Sequence, residues 1–268
     1  MSTTPRILIL SALCALCALA TAASAVAAPL TIDSLPRESP VDAGQGVLVW
    51  SRYDDSAQAY RLVVRRGGVN SVPAIDPSPI PFDADLGSDA SGKPDVVYSR
   101  CATYKDDRGA SDKCDLYVLS LATGTEQKIA GANTSASESN PTLSRGRLAW
   151  ITERKNVNPA VYRRALTASK AHKSKRVAGL PTRACESHNA KPCLRVKDGA
   201  IFEIELSGSR LAEVVAYSTG DSADATEVRL VSLSSGHARR AARLTHTDIP
   251  ATAPKTGSRY CSEQPIDE

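Results

Sequence analysis

The stretch Ser139–Ala178, SNPTLSRGRLAWITERKNVNPAVYRRALTASKAHKSKRVA, reads as four short strands joined by hairpin turns. A Pro-led segment from Asn140 to Ser144 comes first, then an Arg145-Gly146 turn, then Arg147 to Thr152 with Trp150 at its centre. A polar loop leads into Ala160 to Leu166, which alternates loosely, and a turn at Thr167 to Lys170 precedes a last strand near Arg176 and Val177. Short alternating runs bounded by Gly, Pro, Asn and Ser are how half-buried strands read in a sequence.

Similar units lie on both sides. Upstream, Val47 to Arg52 (VLVWSR) and Tyr60 to Arg65 (YRLVVR) form the centre of one unit, with turns at Gly44-Gln45-Gly46 and Arg66-Gly67-Gly68. After a Pro-rich connector at Asp76 to Pro81, Phe82 to Leu86, Pro94 to Arg100 (PDVVYSR), Asp115 to Leu121 (DLYVLSL) and Glu126 to Ile129 form a second. Downstream, Gly199 to Leu206 (GAIFEIEL), Arg210 to Ser218 (RLAEVVAYS), Thr226 to Leu233 (TEVRLVSL) and Arg239 to Thr245 form a fourth. Leu30 to Ile32 is a further candidate strand near the start.

Trp50, Tyr98, Trp150 and Tyr217 therefore recur about every 50 residues, the last interval being lengthened by an insertion at Leu180 to Leu194. Four-stranded units at that period indicate β-propeller blades, which must stack because one blade alone cannot bury both faces. The expected fold is all-β: a β-propeller-like array of about four four-stranded blades, at about 41–75, 80–131, 139–179 and 198–245, in an incomplete or open ring. The competing architecture is a two-sheet sandwich of some sixteen short strands, which the length allows and the repeat does not predict.

These residues resemble the TolB-type β-propeller repeat. Pro141-Thr142-Leu143-Ser144, Gly146 and Leu148-Ala149-Trp150 look like the first half of such a blade. Leu116-Tyr117-Val118, Thr123-Gly124 and, in the fourth unit, Leu244-Thr245 look like the second half. The resemblance covers roughly Val41 to Thr245 and is degenerate, with Arg-Gly, Ser-Gly or Gly-Gly where the repeat has Asp-Gly. It implies a fold and brings no catalytic residues. TolB itself is a periplasmic scaffold that binds other envelope proteins, and its propeller more often has six or so blades.

The 268-residue chain is long enough for a sizeable core, and its net charge of +4 is modest. The one basic run, Lys170 to Arg176, lies at a hairpin tip and has no interleaved aromatics, so no nucleic-acid partner is expected. The first 27 residues read as a signal peptide. Arg6 precedes an apolar run from Ile7 to Ala20, followed by small-residue cleavage patterns at Ala23-Ser24-Ala25 and Ala25-Val26-Ala27. An uncleaved anchor is the alternative; after cleavage no membrane span is expected, and the protein reads as secreted or extracytoplasmic. Residues 246–268 lose all apolar periodicity and are expected to form a loosely ordered tail.

Cysteine usage agrees with export. Cys101 with Cys114, and Cys185 with Cys193, fall into two local pairs suited to disulfides, and Cys261 is left over.

Chemistry is sparse. There is no nucleophile elbow, phosphate-cradling loop or zinc-protease helix. Of the four histidines, His172, His188, His237 and His246, the pair His172 and His237 sit at or beside hairpin turns, where a solvated role is expected, and His188 is the best chemical suspect. Cys185, His188 and Cys193 are zinc-type ligands at unmatched spacing, and a disulfide accounts for the two cysteines better. Asp106, Asp107, Asp112 and Asp115 lack the spacing of a calcium loop. Turn capping explains them, as it does Asp54-Asp55 and Asp221 with Asp224. No cofactor, metal or catalytic residue is expected. The sequence points to an exported scaffold that binds a protein or cell-envelope component. The alternative is an accessory or catalytic propeller of a polysaccharide- or peptide-degrading system, which a cluster of carboxylates or histidines at one mouth of the ring would favour.

Overall fold

The structure, a computed structural model, describes residues 31–35, 37, 39–104, 111–170, 172–184, 193–219 and 224–246. Two units are distinguished, Met1–Ser34 and Leu35–Glu268. Of the first, only residues 31–34 are described, and Ile32 lies there outside any strand. The expected signal peptide and all but the first residue of the expected tail lie outside the described residues.

Within the second unit, four antiparallel four-stranded sheets follow one another along the chain. Blade 1 comprises β1 (Val41–Gly44), β2 (Val47–Asp54), β3 (Ala59–Arg66) and β4 (Val69–Ser71), paired in that order. Blade 2 contains β5 (Asp85–Ser88) and β6 (Pro94–Arg100), a side hairpin of β7 (Thr103–Tyr104) and β8 (Ser111–Asp112), then β9 (Asp115–Ser120) and β10 (Thr125–Lys128). Its sheet order is β5-β6-β9-β10, and a Cys101–Cys114 disulfide ties the root of the side hairpin. Blade 3 comprises β11 (Ser137–Ser144), β12 (Arg147–Arg154), β13 (Val157–Ala165) and β14 (Lys175–Gly179). A small pair, β15 (Arg183–Ala184) with β16 (Leu194–Arg195), gives the root of the Leu180 to Leu194 insertion regular structure. Blade 4 comprises β17 (Asp198–Ser207), β18 (Arg210–Ser218), β19 (Asp224–Ser232) and β20 (Ala238–His246). The array is a four-blade propeller, not two stacked sheets.

Several strand edges differ from their expected places, for local reasons. Phe82 was expected in the first strand of blade 2, but that strand starts at Asp85. Phe82 instead donates its N–H to Ser51 Oγ at 2.7 Å and accepts from the same hydroxyl, anchoring the connector to blade 1. β11 starts earlier than Asn140 and bends between Ser139 and Thr142, where Asn140 takes φ 46°. β13 begins at Val157 and includes Pro159, which has no N–H for the ladder and sits where the β12–β13 register shifts. Gly146, at φ 69°, closes the turn in which Arg145 also takes a positive φ, and its N–H reaches Ser88 O of blade 2 at 2.7 Å.

The packing is sequential. Val47, Val49, Leu62 and Val64 of blade 1 pack on Val96 and Tyr98 of blade 2. Val97 and Leu116 of blade 2 pack on Leu148 and Trp150 of blade 3. Ala149, Ile151 and Val161 of blade 3 pack on Leu211, Val215 and Tyr217 of blade 4. Each incoming blade thus lays an aromatic from its second strand on the blade before it. Trp50 occupies the matching place in blade 1 and is also buried. No core cluster of described residues joins blade 4 to blade 1.

Trp150 is 1% exposed, stacks against Tyr162 at 6.2 Å, and satisfies its Nε1–H on Thr152 Oγ1 at 3.0 Å. Trp150→Ala is expected to cost about 3–5 kcal/mol, read as a lower urea midpoint with an unchanged slope. A loss under about 1 kcal/mol would place Trp150 outside the load of the core.

Candidate functional site

A propeller presents its first strands to the axis, and here β1 meets β5, β5 meets β11, and β11 meets β17. Each first strand is paired on one side only, so its other edge carries backbone N–H groups that need acceptors. Side chains of the preceding blade supply them in a repeated arrangement. Asp42 Oδ2 of blade 1 accepts the Leu86 N–H of blade 2 at 2.5 Å. Asp85 Oδ2 of blade 2 accepts the Leu143 N–H of blade 3 at 2.7 Å. Thr142 Oγ1 of blade 3 accepts the Leu206 N–H of blade 4 at 3.0 Å. In every case the acceptor immediately precedes, in sequence, the residue that donates to the blade before, or its equivalent. The corresponding residue of blade 4 is Glu205, which no described blade follows.

A second row lies two residues earlier. Asp83 accepts from Ser99 N–H, from the Ser99 hydroxyl at 2.6 Å and from Asn140 N–H at 2.7 Å, while Asn140 Nδ2 donates to Phe202 O at 2.9 Å. Toward the other end, Ser88 Oγ accepts from Arg145 N–H and Ser144 Oγ from Gly208 N–H. Close approach of the strands is what permits this. A Cβ on Gly87 would stand 1.9 Å from Leu143 O, so only glycine fits there.

Asp42, Asp85 and Glu205 bring three carboxyls from three blades toward the axis. Burial is the main cause that pushes the Asp85 carboxyl up to about 8; the Glu205 and Asp42 charges add to the rise, and the Leu143 N–H opposes it. Burial also raises Glu205, with Asp42 and Glu203 adding to it. Asp83 is raised by burial against the pull of its hydrogen bonds. Away from the axis, Glu213 is buried between blades 3 and 4, and burial pushes it up to about 7 although Arg229 Nη1 lies 3.0 Å away. Among the described residues, no group of three His, Cys, Asp or Glu stands close enough to hold a metal ion.

The residues singled out in the sequence fall elsewhere. Asp106, Asp107, Cys185, His188, Asp221 and Cys261 lie outside the described residues. Asp115 forms an ion pair with Lys128 at 2.7 Å. Asp54 caps its turn through Ser56 and Ala57 N–H and pairs with Arg61, and the Ser56 hydroxyl and Arg61 hold its carboxyl below the usual range. His172 Nδ1 contacts the Ser169 hydroxyl at 2.9 Å inside its turn, and His237 is exposed in another. Of the basic run, Arg176 lines a shallow groove of about 210 Å³ with Asn158, Pro181, Thr182 and Arg195. The axial acceptors were not singled out. Each is a lone Asp or Thr one residue ahead of an apolar residue (Ala43, Leu86 or Leu143) in the first strand of its unit, a pattern with no motif of its own.

The raised carboxyls give a sign to the pH dependence. A folded pKa above the unfolded value of 3.8 means that the native state holds a proton that the unfolded chain has released. For Asp85 that stabilisation is complete below about pH 4 and is lost as pH rises toward 8; Glu213 acts in the same direction up to about 7. Urea unfolding between about pH 5 and pH 8 should therefore show falling stability, at about 1.4 kcal/mol per pH unit for each proton that the native state holds and the unfolded chain has released. Asp85→Asn, which keeps an oxygen for Leu143 N–H, should flatten the slope and gain at the alkaline end; an unchanged slope would contradict the assignment.

No family model and no curated protein matches this chain. Solved structures do. TolB from Acinetobacter baumannii is 16% identical at a TM-score of 0.43, over 73% of this chain and 41% of that one. A putative TolB from Agrobacterium tumefaciens is 12% identical at 0.49, over 74% and 62%. The β-propeller domain of the Trilobed protease from Pyrococcus furiosus is 12% identical at 0.45, over 82% and 55%. The chain thus spans less than two thirds of the length of each.

Proposed function

We propose that the protein is an exported β-propeller scaffold that binds a protein or cell-envelope partner and performs no catalysis of its own. The observation that carries this reading is the use made of the axial polar groups. Asp42, Asp85 and Thr142 stand where a propeller's channel would present reactive groups, and each holds a backbone N–H of the next blade. Groups spent in this way build a frame. Export is supported by the signal-like first 27 residues and by the Cys101–Cys114 disulfide, which suits an oxidising compartment.

One observation favours the second reading, a catalytic or accessory propeller acting on glycans or peptides. Glycoside hydrolysis uses one carboxyl that keeps its proton beside another that is ionised. Asp85, pushed up to about 8 with Glu205 and Asp42 acting on it, has that electrostatic character. Its oxygen is nevertheless committed to Leu143 N–H, which ties it to the blade contact.

Immobilised mature protein, incubated with solubilised envelope from the source organism, should retain a specific partner whose binding saturates. The same preparation should give no turnover on glycan and peptide panels. Retention of nothing above a heat-denatured control would overturn the scaffold reading. Turnover abolished by Asp85→Asn, with the fold intact, would establish the second.

A further inference from the structure

We infer that the groove between blades 3 and 4, bordered by Arg176 and Arg195, is a docking site for an extended acidic segment of a protein partner, one that sets a carboxylate beside an apolar side chain. This rests on the scaffold reading and gives it a location.

The groove, of about 210 Å³, lies in the connection from blade 3 to blade 4. Its floor is apolar: Leu180 and Val196 are buried there and belong to the core that these two blades share. Its rim is polar, with Arg176, Asn158, Thr182 and Arg195. Arg176 is on β14, the outermost strand of blade 3, and Arg195 is on β16. The Val196 N–H donates to Thr182 O at 3.2 Å and so extends the β15–β16 pair to this end, where its two strands join the blades. The groove is thus walled by described elements inside the array, and neither the first nor the last strand of the array borders it.

Positive charge is gathered here without an answering acid. The register sets Arg183 directly opposite Arg195 across the small pair, and both are exposed. Like charges directly opposite one another destabilise a strand pair. On blade 3, Lys175 likewise lies opposite Arg163. Among the described residues, no carboxylate stands within ion-pair distance of Arg163, Lys175, Arg176, Arg183 or Arg195. By contrast, Lys128 on β10 meets Asp115 at 2.7 Å, and Arg240 on β20 meets Glu227 at 3.2 Å. Repulsion that the fold leaves in place is relieved by an anion, and a guanidinium fork takes a carboxylate through two parallel hydrogen bonds. Gly179 makes room for one fork: a Cβ there would stand 2.7 Å from Arg176 Nη2, so the guanidinium lies close over bare backbone beside the groove.

The neighbouring surfaces state the rest of the occupant's chemistry. β14 pairs with β13 only, so its outer edge offers main-chain N–H and C=O groups that an extended segment satisfies. The floor of Leu180 and Val196 takes an apolar side chain next to the carboxylate. An anionic lipid surface answers to charge alone and would use neither the edge nor the floor.

The test uses the full mature chain and a defined probe, a blocked peptide of alternating Glu and Val, with a Gln-Val peptide as control, titrated at low salt. The Glu-Val peptide should bind saturably, and the Gln-Val peptide about tenfold more weakly or worse. Arg176→Ala and Arg195→Ala should each weaken Glu-Val binding about tenfold, and Arg195→Lys should weaken it less. Arg66→Ala, an equal loss of charge on blade 1, should leave binding unchanged. Arg195→Ala should melt no lower than the parent, because it removes one member of a like-charge pair. Absence of saturable binding, equal binding by parent and Arg195→Ala, or equal weakening by Arg66→Ala would overturn the proposal. So would binding of phosphatidylglycerol vesicles that Arg195→Ala abolishes while the peptide does not bind, which would assign the groove to a lipid surface. An envelope partner retained equally by the parent and by a variant carrying both Arg176→Ala and Arg195→Ala would overturn this site while leaving the scaffold reading standing; retention of nothing by either would remove both.

Discussion

The structure depends on a requirement of backbone chemistry at the axis. A first strand that is paired on one edge leaves N–H groups on the other, and a buried donor left unpaired costs about 1–3 kcal/mol. Successive first strands approach closely but are not paired in a ladder, and side chains of the preceding blade accept these N–H groups instead. Asp42, Asp85 and Thr142 do so in turn, and each bond also fixes the angle and height at which the following blade enters. Apolar contact supplies most of the driving force for stacking, but it is non-directional. The axial bonds set the register in which Tyr98, Trp150 and Tyr217 reach the preceding blades.

This division explains the electrostatics. Carboxyls serve as acceptors because their reach spans the gap, and burial at the contact then pushes them toward the protonated form. A raised Asp85 is thus a consequence of architecture before it is a sign of chemistry. Perturbed carboxyls collect at active sites and at structural contacts alike, and the partner atom decides between the two. Here the partner of Asp85 Oδ2 is the Leu143 backbone.

The fold was legible in the sequence because its main determinant, alternation of apolar residues with an aromatic near the centre of each second strand, is local. Trp150, Tyr98, Trp50 and Tyr217 are all buried, as core residues should be. Strand edges were less legible where a side chain competes with the ladder, as Ser51 does for Phe82. The axial acceptors could not be ranked from sequence, since their partners lie 44, 58 and 64 positions away and an isolated Asp in a short strand reads as solvated. The acidic loop and the Cys185 to Cys193 insertion drew attention by composition, yet the polar groups that position the blades lie in short first strands with no motif of their own.

If the axial acceptors hold the blades in register, their donors should exchange hydrogen slowly and answer to single substitutions. The most direct measurement is native-state hydrogen exchange at Leu86, Leu143 and Leu206. In the parent all three amides should exchange only through the largest openings of the molecule. Asp85→Ala should release Leu143 selectively and leave Leu86 protected. Equal protection of Leu143 in parent and variant would contradict the central role given to these bonds.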